Sequence, residues 1–289
     1  MLRYNLESSI CALYEKKSKL LNSHIYPKFI IKHTKKTGSS YLRNYEEPNK
    51  RAQDGPKIKL LSFEAEQALS IREKWFAENI FVPYLSKKYQ LQYDQNLYYF
   101  ALSFLWRVIH LELRSKDLSK KWYYSKILEV EKEWRNYLTN ITIPQNFHNV
   151  NIVFTDRIEN NNSNIKGADF YLTRALDATI VDNKPKSFLL VYGKFNRFIF
   201  YSVVKSPPIN DELYDVEINP NGGILEIPQN IDYYPFNSFF SNRMRGIEKL
   251  PKASSSQQDL IEKEILKNPN RFWDSDLGQS LMNDIDLDT

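Results

Sequence analysis

A chain of 289 residues with 42% hydrophobic and 14% aromatic residues is long enough to bury one large or two ordinary cores, so no covalent staple is needed. A single cysteine, Cys11, excludes an internal disulfide. With no charged-then-apolar leader and no apolar run near about eighteen residues, the chain reads as soluble and cytoplasmic, without a membrane partner. The net charge of +5 is uneven: through Leu61 there are 13 Lys and Arg against 5 Asp and Glu, and from Ser62 onward 27 against 30.

The first predicted element is a strand around Ser23-His24-Ile25-Tyr26-Pro27. It lies between two segments with zinc-knuckle spacing. Cys11 and Tyr14 stand at the ends of one C-x-x-C spacing, and Ser62 and Ala65 at the ends of a second, in Leu60-Leu61-Ser62-Phe63-Glu64-Ala65-Glu66, where a helix begins. A polar loop, Asn44 to Gly55, separates strand from helix. A tetrahedral zinc site needs four thiolate or imidazole ligands. Only Cys11 among these positions can serve, so no structural zinc is expected.

This order resembles the zinc-supported HNH, or ββα-metal, nucleases across roughly residues 9–80. Further along, Ser-His-Ile-x-Pro-Lys-Phe, Pro-Asn-Lys-Arg-x-Gln-Asp-Gly, Phe-Ala-Glu-Asn-Ile-Phe and Trp-Arg-Val are similar to a group of bacterial HNH-like proteins. The resemblance implies a degenerate HNH-like finger in which His24 matches the general base that activates water beside a divalent cation. Ser23 stands where those enzymes carry a metal ligand, and a neutral hydroxyl is a poor ligand for Mg²⁺ or Mn²⁺. Asn49, Asp54 and Glu66 are the candidate replacements, although Glu66 equally suits the first turn of a helix, where the dipole favours an acid. The plain alternative for His24 is a strand histidine bonded to the backbone. His33, His110 and His148 have no companion at ligand spacing and are expected to be structural.

The positive surplus coincides with this finger. Lys28, Lys32, Lys35, Lys36, Arg43, Lys50, Arg51, Lys57 and Lys59 can meet the phosphates of DNA or RNA, with a solvated face as the alternative. Interleaved Tyr26, Phe29, Tyr41 and Tyr45 could stack on unpaired bases, with core packing favoured for Phe29.

Beyond the finger, Ser62 is expected to cap a helix through about Tyr84, closed by Pro83, with Trp75 and Phe76 facing inward. The run from Asp94 is apolar around most of its circumference and predicts a central, enclosed helix. Arg107 within it reads as a structural pin, since a buried arginine needs an acid or carbonyls. Ser119 begins a third helix through about Leu138.

After Pro144 the pattern changes to strands: 151–155, 170–181, 188–192 and 197–204, with a polar tip at 159–164. Gly193-Lys194-Phe195-Asn196 is expected to turn one hairpin, and Asn219-Pro220-Asn221-Gly222 another between 215–218 and 223–227. Arg174 and Asp177 read as an ion pair. Helices are expected at 237–247, 255–266 and from Asp276 to about Ile285. The acids Asp274, Asp276, Asp284, Asp286 and Asp288 suggest a frayed, solubilising end, or else a tail folded over a basic surface.

The fold class expected is therefore α+β. A degenerate HNH-like basic region (1–84) precedes a helical region (85–143), then an antiparallel sheet with C-terminal helices (144–289). Three functions fit: a nucleic-acid-binding module without firm nuclease activity, in the bacterial anti-phage defence assembly that the resemblance implies; a metal-dependent endonuclease using His24; or a subunit that binds or inhibits a partner protein.

Overall fold

The computed structural model describes residues 9–43, 47–142, 149–159, 165–206 and 215–286. Tyr45, His148, the tip at 160–164 and Asp288 lie outside the described residues. Near the start, a tight turn is closed by Glu15 N donating to Cys11 O at 2.8 Å, with Glu15 itself in the left-handed region at φ 53°. Strand β1 (Leu21–His24) follows, and Pro27 turns the chain into helix α1 (Lys28–Lys36). Short β2 (Leu42–Arg43) and β3 (Arg51–Ala52) pair as a hairpin. Strand β4 (Lys57–Leu61) then returns antiparallel to β1, placing Lys57 opposite His24.

Ser62 ends β4 and starts α2 (Phe63–Phe76), its hydroxyl accepting from Ala65 N. The rod continues through a π turn, Ala77–Phe81, into α3 (Val82–Leu85). Pro83 sits in the last turn of this rod, which ends at Leu85, beside the expected Tyr84. The proline has no N–H to donate, and the wider turn just before it absorbs the missing bond. Phe76 faces inward and Trp75 is partly buried.

Strand β5 (Gln90–Tyr93) leads to α4 (Gln95–Ser115), capped by the Asp94 carboxylate on Asn96 N. Every residue from Leu97 to His110 is buried, as an apolar circumference requires. Helix α5 (Tyr124–Asn140) starts five residues later than Ser119, whose amide and hydroxyl instead donate to the Asp117 carboxylate in a turn.

The main sheet has the order β6-β9-β8-β7, all antiparallel, from β6 (Val150–Phe154), β7 (Leu176–Asp182), β8 (Leu189–Phe195) and β9 (Phe198–Lys205). One face packs on α4: Phe104 lies 5.1 Å from Phe195 and 5.7 Å from Phe200. Gly193 permits this, because a Cβ there would stand 2.5 Å from the Phe104 ring. The opposite face is covered by α7 (Tyr234–Ile247), whose Phe236 stacks on Tyr201 at 4.2 Å. Burying each such ring contributes about 1.5–3 kcal/mol, so the helix–sheet–helix sandwich supplies the principal stability.

Three local expectations are corrected. Residues 170–174 belong not to a strand but to α6 (Ala168–Arg174), whose first amides, Asp169 N and Phe170 N, are capped by the distant Asp284 carboxylate. The β8–β9 turn is Asn196–Arg197, since Gly193 to Phe195 remain paired in the strand. Strand β10 (Gly223–Glu226) pairs with β5 rather than with 215–218, even though Gly222, at φ +108°, makes the expected turn.

The chain ends in α8 (Ser255–Leu266), α9 (Pro269–Trp273) and α10 (Asp276–Asp286). The acidic end is not frayed where it is described. Asp276 accepts from Arg157 at 2.7 Å, Arg174 at 2.8 Å and Arg197 at 3.1 Å. Arg174 thus serves Asp276, while Asp177 takes Arg243 through both guanidinium nitrogens and the Tyr171 hydroxyl. The architecture is α+β, and no helix among the described residues is long and apolar enough to cross a membrane.

Candidate functional site

The antiparallel pair β1–β4 running into α2 sets the frame around His24. The turn at 11–15 docks where that frame changes direction: Ser62 N donates to Cys11 Sγ at 3.3 Å, and Ala12 N to Leu60 O at 3.0 Å. Cys11, Leu60, Leu61 and Ala65 are all fully buried. Apolar contact therefore joins the segments at knuckle spacing, with Ser62 used as a helix cap.

Alternation along β1 sends neighbouring side chains to opposite faces. Ser23 points inward, and its hydroxyl accepts from Leu61 N at 3.2 Å, so it is committed to the backbone. His24 points toward the loop. Its Nε2 lies 3.2 and 3.1 Å from the two Asp54 oxygens, so the carboxylate can accept an Nε2–H and hold the ring in place. From the core side, Arg107 donates to His24 O at 3.0 Å and to Glu73 at 2.8 Å. The arginine read as a pin thus fixes the backbone of the candidate histidine.

Asp54 also meets Lys57 at 2.5 Å. Burial pushes this carboxyl up, but hydrogen bonds from Lys57, His24 and the Gly55 amide outweigh that effect and hold it at about 2. The acid stays ionised and fully occupied. Asn49 Oδ1 accepts instead from Ser254 N, at the start of α8. Glu66 sits in the first turn of α2 with its Oε1 buried. Among the described residues, His24, Asp54 and Glu66 do not form a metal-ligating trio. A hard cation needs oxygen ligands free to face it; Ser23, Asn49 and Asp54 are each engaged elsewhere, and of the candidate ligands Glu66 alone has a buried carboxylate oxygen without a hydrogen-bond partner.

The predicted cations separate into two groups. Lys28, Lys32 and Lys36 are exposed at i, i+4 and i+8 of α1, forming one row that begins four residues after His24. Lys59, on β4, is exposed as well, whereas the others have partners: Lys35 donates to Gln53 O, Lys50 pairs with Glu47, and Lys57 with Asp54. Arg43 reaches Pro48 O and Gln257, and Arg51 pairs with Glu264 at 3.2 Å, so α8 covers both. Among the described residues, the aromatics expected to stack on bases are engaged elsewhere. Tyr26 is buried against Phe104, Phe29 packs edge-on to Phe81, and the Arg51 guanidinium covers Tyr41.

The other histidines are structural where described. His33 lies edge-on to Phe81, and burial, reinforced by Arg174, lowers it to about 4. His110 is buried beside Glu131. No sequence signal marked the role of α8, because the Asn49, Arg43 and Arg51 contacts span more than two hundred residues. No protein-family model, curated protein or solved structure matches this chain.

Proposed function

We propose that the N-terminal unit is a nucleic-acid-contacting module on an HNH-like scaffold without a metal clasp, and that it grips phosphates rather than cutting strands. The observation that carries this reading is the exposed Lys28–Lys32–Lys36 row beside β1. Three lysines spaced by one helical turn, about 6 Å apart, present a line of charge to a polyanion without recognising bases. The engaged aromatics argue for backbone contact over base stacking. Such a module suits the DNA- or RNA-binding subunit of a defence assembly that the resemblance implies.

A labelled DNA duplex titrated at rising salt tests this reading. Binding falls steeply with salt, and replacing all three lysines by alanine reduces the logarithmic salt slope by about three. Unchanged affinity in the triple variant removes the row from the interface.

A His24-dependent hydrolase is the second reading, favoured by the His24–Asp54 contact, since a carboxylate can fix an imidazole for proton transfer. The committed oxygen donors weigh against it. Plasmid incubated with Mg²⁺ or Mn²⁺ should be nicked no faster by the native chain than by His24→Ala; a clear excess would restore the nuclease reading.

A further inference from the structure

A cleft of about 1960 Å³ is lined by the end of α1, by residues of α6 and by the C-terminal helices, with Asp54 on its lining. Its carboxylates are mostly neutralised in place. Asp54 is held by Lys57, Glu112 by Lys116, Asp177 by Arg243, Glu264 by Arg51, and Asp276 by its three arginines. Asp274 is the exception. Lys36, Lys267 and Arg271 line the same cleft, are exposed, and have no carboxylate partner among the described residues. The cleft therefore presents a positive surplus that no internal ion pair must surrender.

The α1 row leads toward it. Lys36 is both the last lysine of that row and a lining residue, and the adjoining Thr37 O accepts from Leu277 N at 3.1 Å. This bond fastens the end of α1 to the start of α10, just after the α9 segment that carries Arg271. From Lys28 to Lys36 the row spans about 12 Å.

We propose that the cleft continues the phosphate track, with Lys267 and Arg271 as its far contacts to the phosphodiester backbone of a nucleic acid. This inference rests on the nucleic-acid reading of the α1 row. It assigns the C-terminal helices a binding role that their own sequence does not announce. The ligand is recognised by backbone charge, a chemistry that duplex DNA and duplex RNA share.

Labelled DNA and RNA duplexes of the same sequence, titrated over a series of salt concentrations, test the inference. Lys267→Ala with Arg271→Ala weakens binding and lowers the logarithmic salt slope by about two, one unit per lost contact. Restoring charge with Lys267→Arg, keeping Arg271→Ala, recovers about one unit. The duplex that gives these shifts is the ligand. Both side chains are exposed, so unchanged thermal unfolding accompanies the loss. If the double variant keeps the native slope and affinity while Lys28→Ala with Lys32→Ala loses both, the cleft proposal is overturned and the α1 reading stands. If the native chain binds neither duplex at low salt, the α1 reading fails first and takes the cleft with it.

Discussion

The knuckle turn at 11–15 and the helix α10 are both peripheral pieces fastened to a larger body, yet opposite chemistries hold them. The turn is docked mainly by a buried sulfur and neutral backbone bonds over Leu60, Leu61 and Ala65, with one ion pair, from the exposed Glu15 to Arg135, at its edge. Helix α10 is held by charge: Asp276 among three arginines, and Asp284 on the first amides of α6. Apolar docking is indifferent to pH and salt, whereas a carboxylate clasp depends on ionisation. The finger that carries the candidate site is thus a stable platform, and the C-terminal cover is the part whose attachment conditions can change.

The largest expected break in this comparison is Asp276→Ala. It takes the carboxylate away from Arg174, which is 3% exposed and keeps its bonds to Thr34 O and Thr37 Oγ1, and should cost about 3 kcal/mol in chemical unfolding. A loss below about 1 kcal/mol would mean that the clasp is incidental.

Acid should separate the two attachments next. Burial raises the Asp276 carboxyl, but Arg174, Arg197 and Arg157 hold it below its ordinary value. A folded value below the unfolded one, about 3.9, gives stability that is complete above that pH and is lost as pH falls through the lower folded value. Amides of α10 should lose exchange protection in that window before those of Ala12 and Glu15. The same sign applies at Asp54, whose contribution fades from about 4 toward about 2. Simultaneous loss of α10 and the turn would erase the distinction.

Smaller still, Ser62→Ala removes the cap of α2 and should cost about 1 kcal/mol. A chelator should leave the unfolding temperature of the native chain unchanged. A chelator-induced fall would show that a metal, and not packing, supports the turn.

What was legible in the sequence follows range. Ser62 and Asp94 cap helices from adjacent residues, and the apolar circumference of α4 declares its burial locally. Helix α8 matches its expected bounds for the same reason. Helix α6 was hidden because its cap comes from Asp284, and strand β10 because its partner is β5. At the site, the strand around His24 could be read from spacing, whereas helix α1, which aligns Lys28, Lys32 and Lys36 in one row, was not among the expected elements. The contacts that Arg43, Asn49 and Arg51 make with the α8 segment could not be read either, since local charge says nothing of which segment folds across it.

Lysine acetylation footprinting with and without duplex DNA tests the central claim most directly. Bound nucleic acid should shield Lys28, Lys32 and Lys36 together, while the exposed Lys87 and Lys88, outside the N-terminal unit, react as before. Equal reactivity of the α1 row in bound and free protein would contradict the account.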